Sequence, residues 1–113
     1  MSNYTAGQGI LAKIRFRDGK MPLYDRTYLI VETGDNFIKV LNVSSSEGKE
    51  SKLQMKSNEP LSQYEPPFKK PSFVKLDSLV RIDNPPSYKI LHNGDLLNNA
   101  DLSNIITKLK EYN

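Results

Sequence analysis

The stretch from Tyr24 to Ser46 constrains the fold of this chain most, because two runs of β-forming residues flank a compact turn. Aromatic and aliphatic residues dominate positions 28–31 and 37–43, and Gly34-Asp35-Asn36 between them are residue types that favour tight turns. The pattern predicts a β-hairpin that pairs residues 27–32 with 37–43. Apolar side chains occupy odd and even positions of both strands, so we expect both faces of the hairpin to be covered.

The length of the turn decides the register of this hairpin. With a three-residue loop centred on Asp35, Arg26 lies opposite Ser44 on the same face, with ~5 Å between their Cβ atoms. With a two-residue Gly34-Asp35 loop, the register slips by one residue and Arg26 faces Val43. The sequence leaves both registers open, and only the first brings a cation and a hydroxyl to one rim of the sheet.

Before the hairpin, residues 9–17 alternate between apolar and basic side chains, which predicts a strand with one buried face and one charged face. The apolar set is Ile10, Ala12, Ile14 and Phe16, and the basic set is Lys13, Arg15 and Arg17. We expect Leu23 and Tyr24 to hold the connection between this strand and the hairpin in place.

After the hairpin, residues 52–55 indicate a short strand, and four prolines predict a long surface loop over residues 56–71. Residues 72–82 predict a further strand. Its apolar face is expected to consist of the even positions Val74, Leu76, Val80 and Ile82. A short strand at residues 88–91 is followed by a turn at residues 92–95.

The chain is predicted to end in an amphipathic helix over about residues 99–112, with Asn98 or Asn99 as its N-cap. Its apolar face consists of Leu102, Ile105, Ile106, Leu109 and Tyr112. The order of elements predicts one domain over residues 1–113, mainly β with a C-terminal α-helix and closed into a small antiparallel barrel, which SH3-like and OB-like folds satisfy equally.

Composition narrows the chemistry. The chain has no cysteine and one histidine, His92, so we expect no metal site of the histidine or thiolate kind and no cofactor. A Mg²⁺ site made of carboxylates alone stays open. It has no signal-like segment and no apolar run long enough to span a membrane, which indicates a cytoplasmic protein with no membrane partner.

The positive charge of the chain is concentrated in one segment. The net charge is +3, and residues 13–26 alone carry five basic side chains against two acidic ones. Arginine suits phosphate recognition, so this segment favours an anionic ligand. In the proline-rich loop, Tyr64 and Phe68 beside Lys69 and Lys70 offer rings and charges suited to a single-stranded nucleic acid.

Several segments resemble the MazF/PemK family of toxins from toxin–antitoxin systems. They are a glycine-led first strand ending in Phe16-Arg17-Asp18-Gly19, then Arg26 before a hydrophobic strand, the hydroxyl cluster Val43-Ser44-Ser45, and the segment from Pro71 to Asp83. The chain departs from the family pattern where Thr27 replaces a proline, and where Ser78 and Val80 replace a glutamine and an arginine.

The resemblance implies an SH3-like barrel that forms a homodimer, cleaves single-stranded RNA (mRNA) without a metal, and is inhibited by a cognate antitoxin protein. It implies that Arg26 and Ser44 are catalytic and that Ser72 is a site serine. Together with the basic segment, the expected substrate-binding residues are Arg15, Arg17, Lys20, Ser45, Ser72 and Lys70.

The chemistry of Arg26 follows from its guanidinium group. It offers a fixed fork of donors to phosphate oxygens, and it is a poor base because it deprotonates only above about pH 12. We therefore assign Arg26 to stabilising the transition state, and leave the general base open among Asp18, Asp25 and His92. The alternatives are an RNA-binding module that does not cleave, or a toxin of the CcdB kind that inhibits a protein.

Overall fold

The computed structural model describes residues 4–15, 19–45, 57–61, 68 and 71–112. This part of the chain forms seven strands and one α-helix: β1 (Gly9–Ala12), β2 (Arg26–Thr33), β3 (Phe37–Ser45), β4 (Asn58–Pro60), β5 (Ser72–Lys75), β6 (Val80–Asp83), β7 (Lys89–Ile90) and α1 (Asn99–Tyr112). Two short 3-10 turns, Leu76–Ser78 and Leu91–Gly94, follow β5 and β7. The prediction of a mainly β chain with a C-terminal helix is confirmed.

The central hairpin of β2 and β3 is confirmed, with a loop that neither predicted register contained. The loop is Asp35-Asn36, and the backbone N–H of Gly34 donates to the carbonyl of Phe37 over 2.9 Å. If the pairing continued from this loop without interruption, Arg26 would lie opposite Ser45.

A β-bulge at Val31 corrects the register of the hairpin. On the turn side of the bulge Thr33 faces Ile38, and beyond it Ile30 faces Val40 and Thr27 faces Val43. The bulge adds one residue to β2, as a β-bulge does by setting two residues against one. One step beyond the Thr27–Val43 pair, the same register places Arg26 across from Ser44. This is the pairing that the three-residue loop predicted, reached here by a two-residue loop and a bulge.

The strands form one antiparallel sheet in the order β4-β5-β3-β2-β1-β7, with β6 paired to the first half of β3. Strands β4 and β7 lie at the two ends of this path. In the part of the chain that the structure describes, the sheet is therefore open. The prediction that the strands close into a barrel is wrong for these residues.

The predicted single strand over residues 72–82 is interrupted by the 3-10 turn Leu76–Ser78. Val43 of β3 faces Val74, whereas Val40 faces Val80, so three steps along β3 correspond to six along its partner. Three extra residues are an odd number, which reverses the alternation of faces. Val74 and Leu76 therefore join one core and Val80 and Ile82 the other, and the prediction of one shared apolar face is wrong.

Both faces of the hairpin are covered, as predicted. Ile105 of α1 is fully buried in the core on one face, which includes Leu29, Val31, Leu41 and Val43. The core on the other face contains Ile10, Tyr28, Ile30, Ile38 and Val40, together with Tyr4. The helix begins as expected: Asn98 Oδ1 accepts from the backbone N–H of Asp101 over 2.9 Å, which caps it.

The described part of the proline-rich segment includes a strand, β4, where a loop was expected. Asn58 faces Lys75 and Pro60 faces Phe73. Because β4 ends the sheet, the N–H that proline lacks need not join a ladder. The strand predicted at residues 52–55 lies outside the described residues. Among those residues, no helix combines the length and apolar character required to cross a bilayer.

Candidate functional site

Arg26 begins β2, and Ser44 lies one residue before the end of β3, so both occupy the same rim of the sheet. Thr27 faces Val43, and one further step of this register brings Arg26 and Ser44 across from each other on one face, where cross-strand pairs have Cβ atoms ~5 Å apart. Each is partly buried, and so each retains some access to solvent. A cation and a hydroxyl therefore meet at an accessible edge.

The buried side-chain amide of Asn42 holds the Ser44 hydroxyl by a hydrogen bond. Ser44 Oγ donates to Asn42 Oδ1 over 3.4 Å, and Asn42 Nδ2 donates to the carbonyl of Thr27 over 3.2 Å. Asn42 is only 6% exposed, so these bonds are shielded from competition with water. The chain of bonds connects the Ser44 hydroxyl to the strand that carries Arg26.

Tyr24 covers Arg26. The Cζ atom of Arg26 lies 5.7 Å from the centre of the Tyr24 ring, within the range of a cation–π contact. Tyr24 is 65% exposed and Leu23 is 88% exposed, so the expectation that they hold the loop in place is wrong; Pro22 is buried there instead. Sequence reasoning missed Tyr24 as a site residue, although an aromatic ring two positions before the arginine was a usable signal.

Tyr28 lies next to Arg26 on the same face, and its ring is buried in the second core. Burial raises the pKa of the Tyr28 phenol above its ordinary value, while the Arg26 charge and a hydrogen bond with the Ile14 backbone lower the pKa in part. The phenol O–H also donates to the Ile14 carbonyl over 3.5 Å. The phenol is therefore neutral at physiological pH and anchors β2 against the residues after β1.

The basic segment before the hairpin lies at the same end of the sheet. Ala12 of β1 faces Arg26, so the residues after Ala12 continue past that rim. Lys13 and Arg15 are exposed while Ile10 and Ile14 are buried, as the alternation predicts. Arg15 Nη1 donates to the carbonyl of Gly19 over 2.6 Å. Lys20 is also exposed, whereas Phe16, Arg17 and Lys70 lie outside the described residues.

The structure does not bring Ser72 to the face of Arg26. Ser44 faces Phe73, and Ser45 faces Ser72. Because successive side chains of a strand point to opposite faces, Ser45 and Ser72 belong to the side of the sheet that carries α1. Ser72 is 8% exposed. The predicted set therefore divides into Arg26 and Ser44 on one face and the serine pair on the other.

Two of the three candidates for the general base, Asp25 and His92, lie among the described residues. Asp25 is exposed and directly precedes Arg26. His92 is exposed in the turn after β7, with a left-handed backbone (φ 49°), as the turn prediction for residues 92–95 implies. Asp18 lies outside the described residues. In the described ranges, no three carboxylate or imidazole side chains are grouped so that they could share a metal ion.

Comparison with known proteins adds no family assignment. Neither a scan against protein-family models nor a search of curated proteins returns a match to this chain. The resemblance to MazF/PemK toxins therefore stays a prediction from the sequence segments alone.

Proposed function

We propose that this chain is a metal-independent endoribonuclease that cleaves single-stranded RNA by attack of a ribose 2′-hydroxyl on the adjacent phosphate. The observation that supports this best is the placement of Arg26 opposite Ser44 at an accessible rim. An arginine fork and a neutral hydroxyl beside it are donors suited to the oxygens of a phosphate whose negative charge grows in the transition state.

Each group has a separate role in this reaction. The 2′-oxygen forms a bond to phosphorus as a base removes its proton, and the 5′-oxygen leaves with a proton, so that a 2′,3′-cyclic phosphate remains. Arg26 donates hydrogen bonds to the non-bridging oxygens, and Ser44 does so after its hydroxyl turns from Asn42 Oδ1 to the phosphate. Asp25 is the described carboxylate nearest in sequence to Arg26 and is our candidate for the base.

Binding of the strand is assigned to residues around the rim. The exposed ring of Tyr24 offers a stacking surface for a base, and stacking of this kind tolerates any sequence. Lys13, Arg15 and Lys20 are exposed cations at the same end, suited to the phosphates that flank the cut. Ser45 and Ser72 lie on the opposite face and are assigned no direct contact with the cleaved phosphate.

The resemblance to MazF/PemK toxins supports further parts of the proposal. They are an SH3-like architecture for the sheet and helix, a homodimer, mRNA as the substrate, a cognate antitoxin protein as the inhibitor, and a cytoplasmic location.

The deciding experiment incubates the purified chain with a long single-stranded RNA, with and without EDTA, and maps the cut sites. We expect cleavage to survive EDTA, and a 2′-deoxy substitution at a mapped site to abolish the cut there while the strand still binds. Cleavage that requires added metal, or that continues at the 2′-deoxy position, would contradict the proposed chemistry. Tight RNA binding without any cleavage would instead identify a silent RNA-binding module.

A further inference from the structure

An open pocket of about 440 Å³ lies at the turn end of the hairpin, away from Arg26. Its rings come from three distant parts of the chain: Tyr4, Phe37 and Tyr88. The eight residues of β2 separate this end from the Arg26 rim by ~25 Å at about 3.3 Å per residue. Ile90, at another wall, faces Ile10, which faces Tyr28, so the pocket extends from the turn towards that rim. None of the described residues that line it is assigned to the Arg26 site.

Hydrogen bonds between segments hold the walls of this pocket in place. Tyr4 Oη donates to the Pro86 carbonyl over 2.5 Å and accepts from the backbone N–H of Tyr88 over 2.7 Å. The backbone N–H of Asn84 donates to the Asn36 carbonyl over 2.6 Å and joins the hairpin turn to the β6–β7 connection. A site whose walls are fixed before binding loses less entropy when a ligand enters.

The rings differ in what they can offer a ligand. Tyr4 is almost buried, and Phe37 already stacks under Arg81, whose Cζ lies 3.9 Å from the ring centre. Tyr88 is partly exposed, and its ring lies 6.3 Å from that of Tyr4. Tyr88 is therefore the ring available for stacking.

The polar groups of the pocket select the chemistry of the ligand. The lining includes Asp35, whose carboxylate only accepts hydrogen bonds, and Asn36 and Asn84, whose amides donate and accept. None of the described residues that line the pocket is basic, so this lining favours a neutral group over a phosphate. These residues suit a flat, neutral ring. Such a ring would carry a hydrogen-bond donor for the Asp35 carboxylate and further donors and acceptors for the two amides.

We propose that this pocket binds a nucleobase with an exocyclic amino group: adenine, cytosine or guanine. The base stacks on Tyr88, its amino group donates to Asp35, and its ring nitrogen or carbonyl pairs with the amides of Asn36 and Asn84. Uracil presents a carbonyl in place of the amino group, and an acceptor set against the Asp35 carboxylate is unfavourable.

This inference rests on the proposed function in one respect: the proposed function makes an RNA strand the natural source of the base. Binding of a free nucleoside is measured without any cleavage, so the two proposals fail separately. If the pocket binds no base while RNA is still cut, only the pocket assignment is lost.

The test is a nucleoside titration of the ¹⁵N-labelled full chain followed by NMR, reading the backbone and side-chain amides of Asn36 and Asn84. Cytidine with uridine, and adenosine with inosine, are matched pairs in which a carbonyl replaces the amino group and the adjacent ring nitrogen gains a hydrogen. We expect cytidine and adenosine to shift these signals and to bind about tenfold more tightly than their partners, a typical effect of losing one polar contact.

Variants separate stacking from recognition of the amino group. Asp35→Asn changes an exposed turn residue and should abolish the preference for cytidine over uridine. Tyr88→Phe keeps the ring and should keep binding, whereas Tyr88→Leu should lose it. Asn84 has a left-handed backbone (φ 48°), so Asn84→Gly removes its amide without backbone strain and should weaken every nucleoside.

Other outcomes would overturn the assignment. Equal shifts with uridine and cytidine would refute the role of Asp35, and shifts produced by ribose alone would indicate a carbohydrate site. Binding of a proline-rich peptide without any nucleoside would indicate a peptide groove. A short oligocytidine that shifts the pocket amides more strongly than cytidine would support an RNA strand as the source, and equal binding would support a free nucleoside.

Discussion

The side chain of Ser78 accepts the hydrogen bond that the backbone N–H of Asn42 would otherwise give to a neighbouring strand. Its Oγ accepts the backbone N–H of Asn42 over 2.8 Å and donates to the carbonyl of Lys75 over 2.6 Å. This pair lies where the 3-10 turn Leu76–Ser78 interrupts the ladder along β3. One hydroxyl therefore satisfies a backbone group that the reversal of faces between β5 and β6 would otherwise leave without a strand partner.

Ser78→Ala should lower the free energy of unfolding by ~1–3 kcal/mol, because it removes the acceptor of a part-buried backbone N–H. Urea denaturation followed by circular dichroism measures the change. Ser103→Ala, at an exposed position of α1, is the matched control and should change stability far less. Equal effects of the two variants would show that the Ser78 bonds contribute little.

Gly34→Ala should destabilise the hairpin for lack of space. A Cβ atom there would lie 2.0 Å from Cε1 of Phe37, whose ring is held under Arg81. We expect a loss of ~1–3 kcal/mol, typical of overpacking. The double variant Gly34→Ala/Phe37→Leu should be more stable than the sum of the two single changes predicts, because the clashing ring is gone. Simple additivity would contradict this explanation.

Arg26→Ala should lower the rate of RNA cleavage by ~10²–10³, the usual effect of removing a donor to a developing negative charge. Ser44→Ala should cost less, since a neutral donor is weaker. Arg26→Lys keeps the charge without the planar fork and should restore activity only in part. Single-turnover rates and RNA affinities separate catalysis from binding. Lys108→Ala on the exposed side of α1 is the control, and a comparable loss there would exclude a specific role for Arg26.

The basic segment should make RNA binding sensitive to salt. Each phosphate contact that is lost should reduce the magnitude of the slope of log K against log salt concentration by ~0.7. Arg15→Ala and Arg17→Ala together should therefore flatten the slope twice as much as either variant alone, as measured by fluorescence anisotropy. An unchanged slope in the double variant would place the RNA path elsewhere.

Alkaline pH should destabilise the fold through Tyr28. Its pKa is raised in the folded chain, above the ordinary value of 10.0, so its contribution is complete below pH 10.0 and is lost as the pH rises towards the folded pKa. Tyr28→Phe cannot ionise and should reduce this alkaline loss, as measured by urea denaturation between pH 9 and 11. Tyr24→Phe, at an exposed position, should not. The same alkaline loss in Tyr28→Phe and in the unmodified chain would contradict the assignment.

Much of the local structure could be predicted from the sequence, because it follows from periodicity within single segments. The alternation predicts that Ile14 is buried and that Lys13 and Arg15 are exposed, and this holds although β1 ends at Ala12, short of the strand predicted over residues 9–17. The spacing of apolar residues and the cap at Asn98 likewise determine the helix. These signals need no partner segment, since a side chain's face depends only on its position along its own strand or helix.

Only the tertiary structure decided how these segments meet. The bulge at Val31 sets Arg26 against Ser44, and three inserted residues place Val74 and Val80 on opposite faces. The pocket assembles Tyr4 and Tyr88 from the two ends of the chain. Register and convergence depend on hydrogen bonds between distant segments, and a shift of one residue preserves every local pattern while it exchanges the two faces. For this reason the sequence determined the candidate residues, and the fold determined which of them share a site.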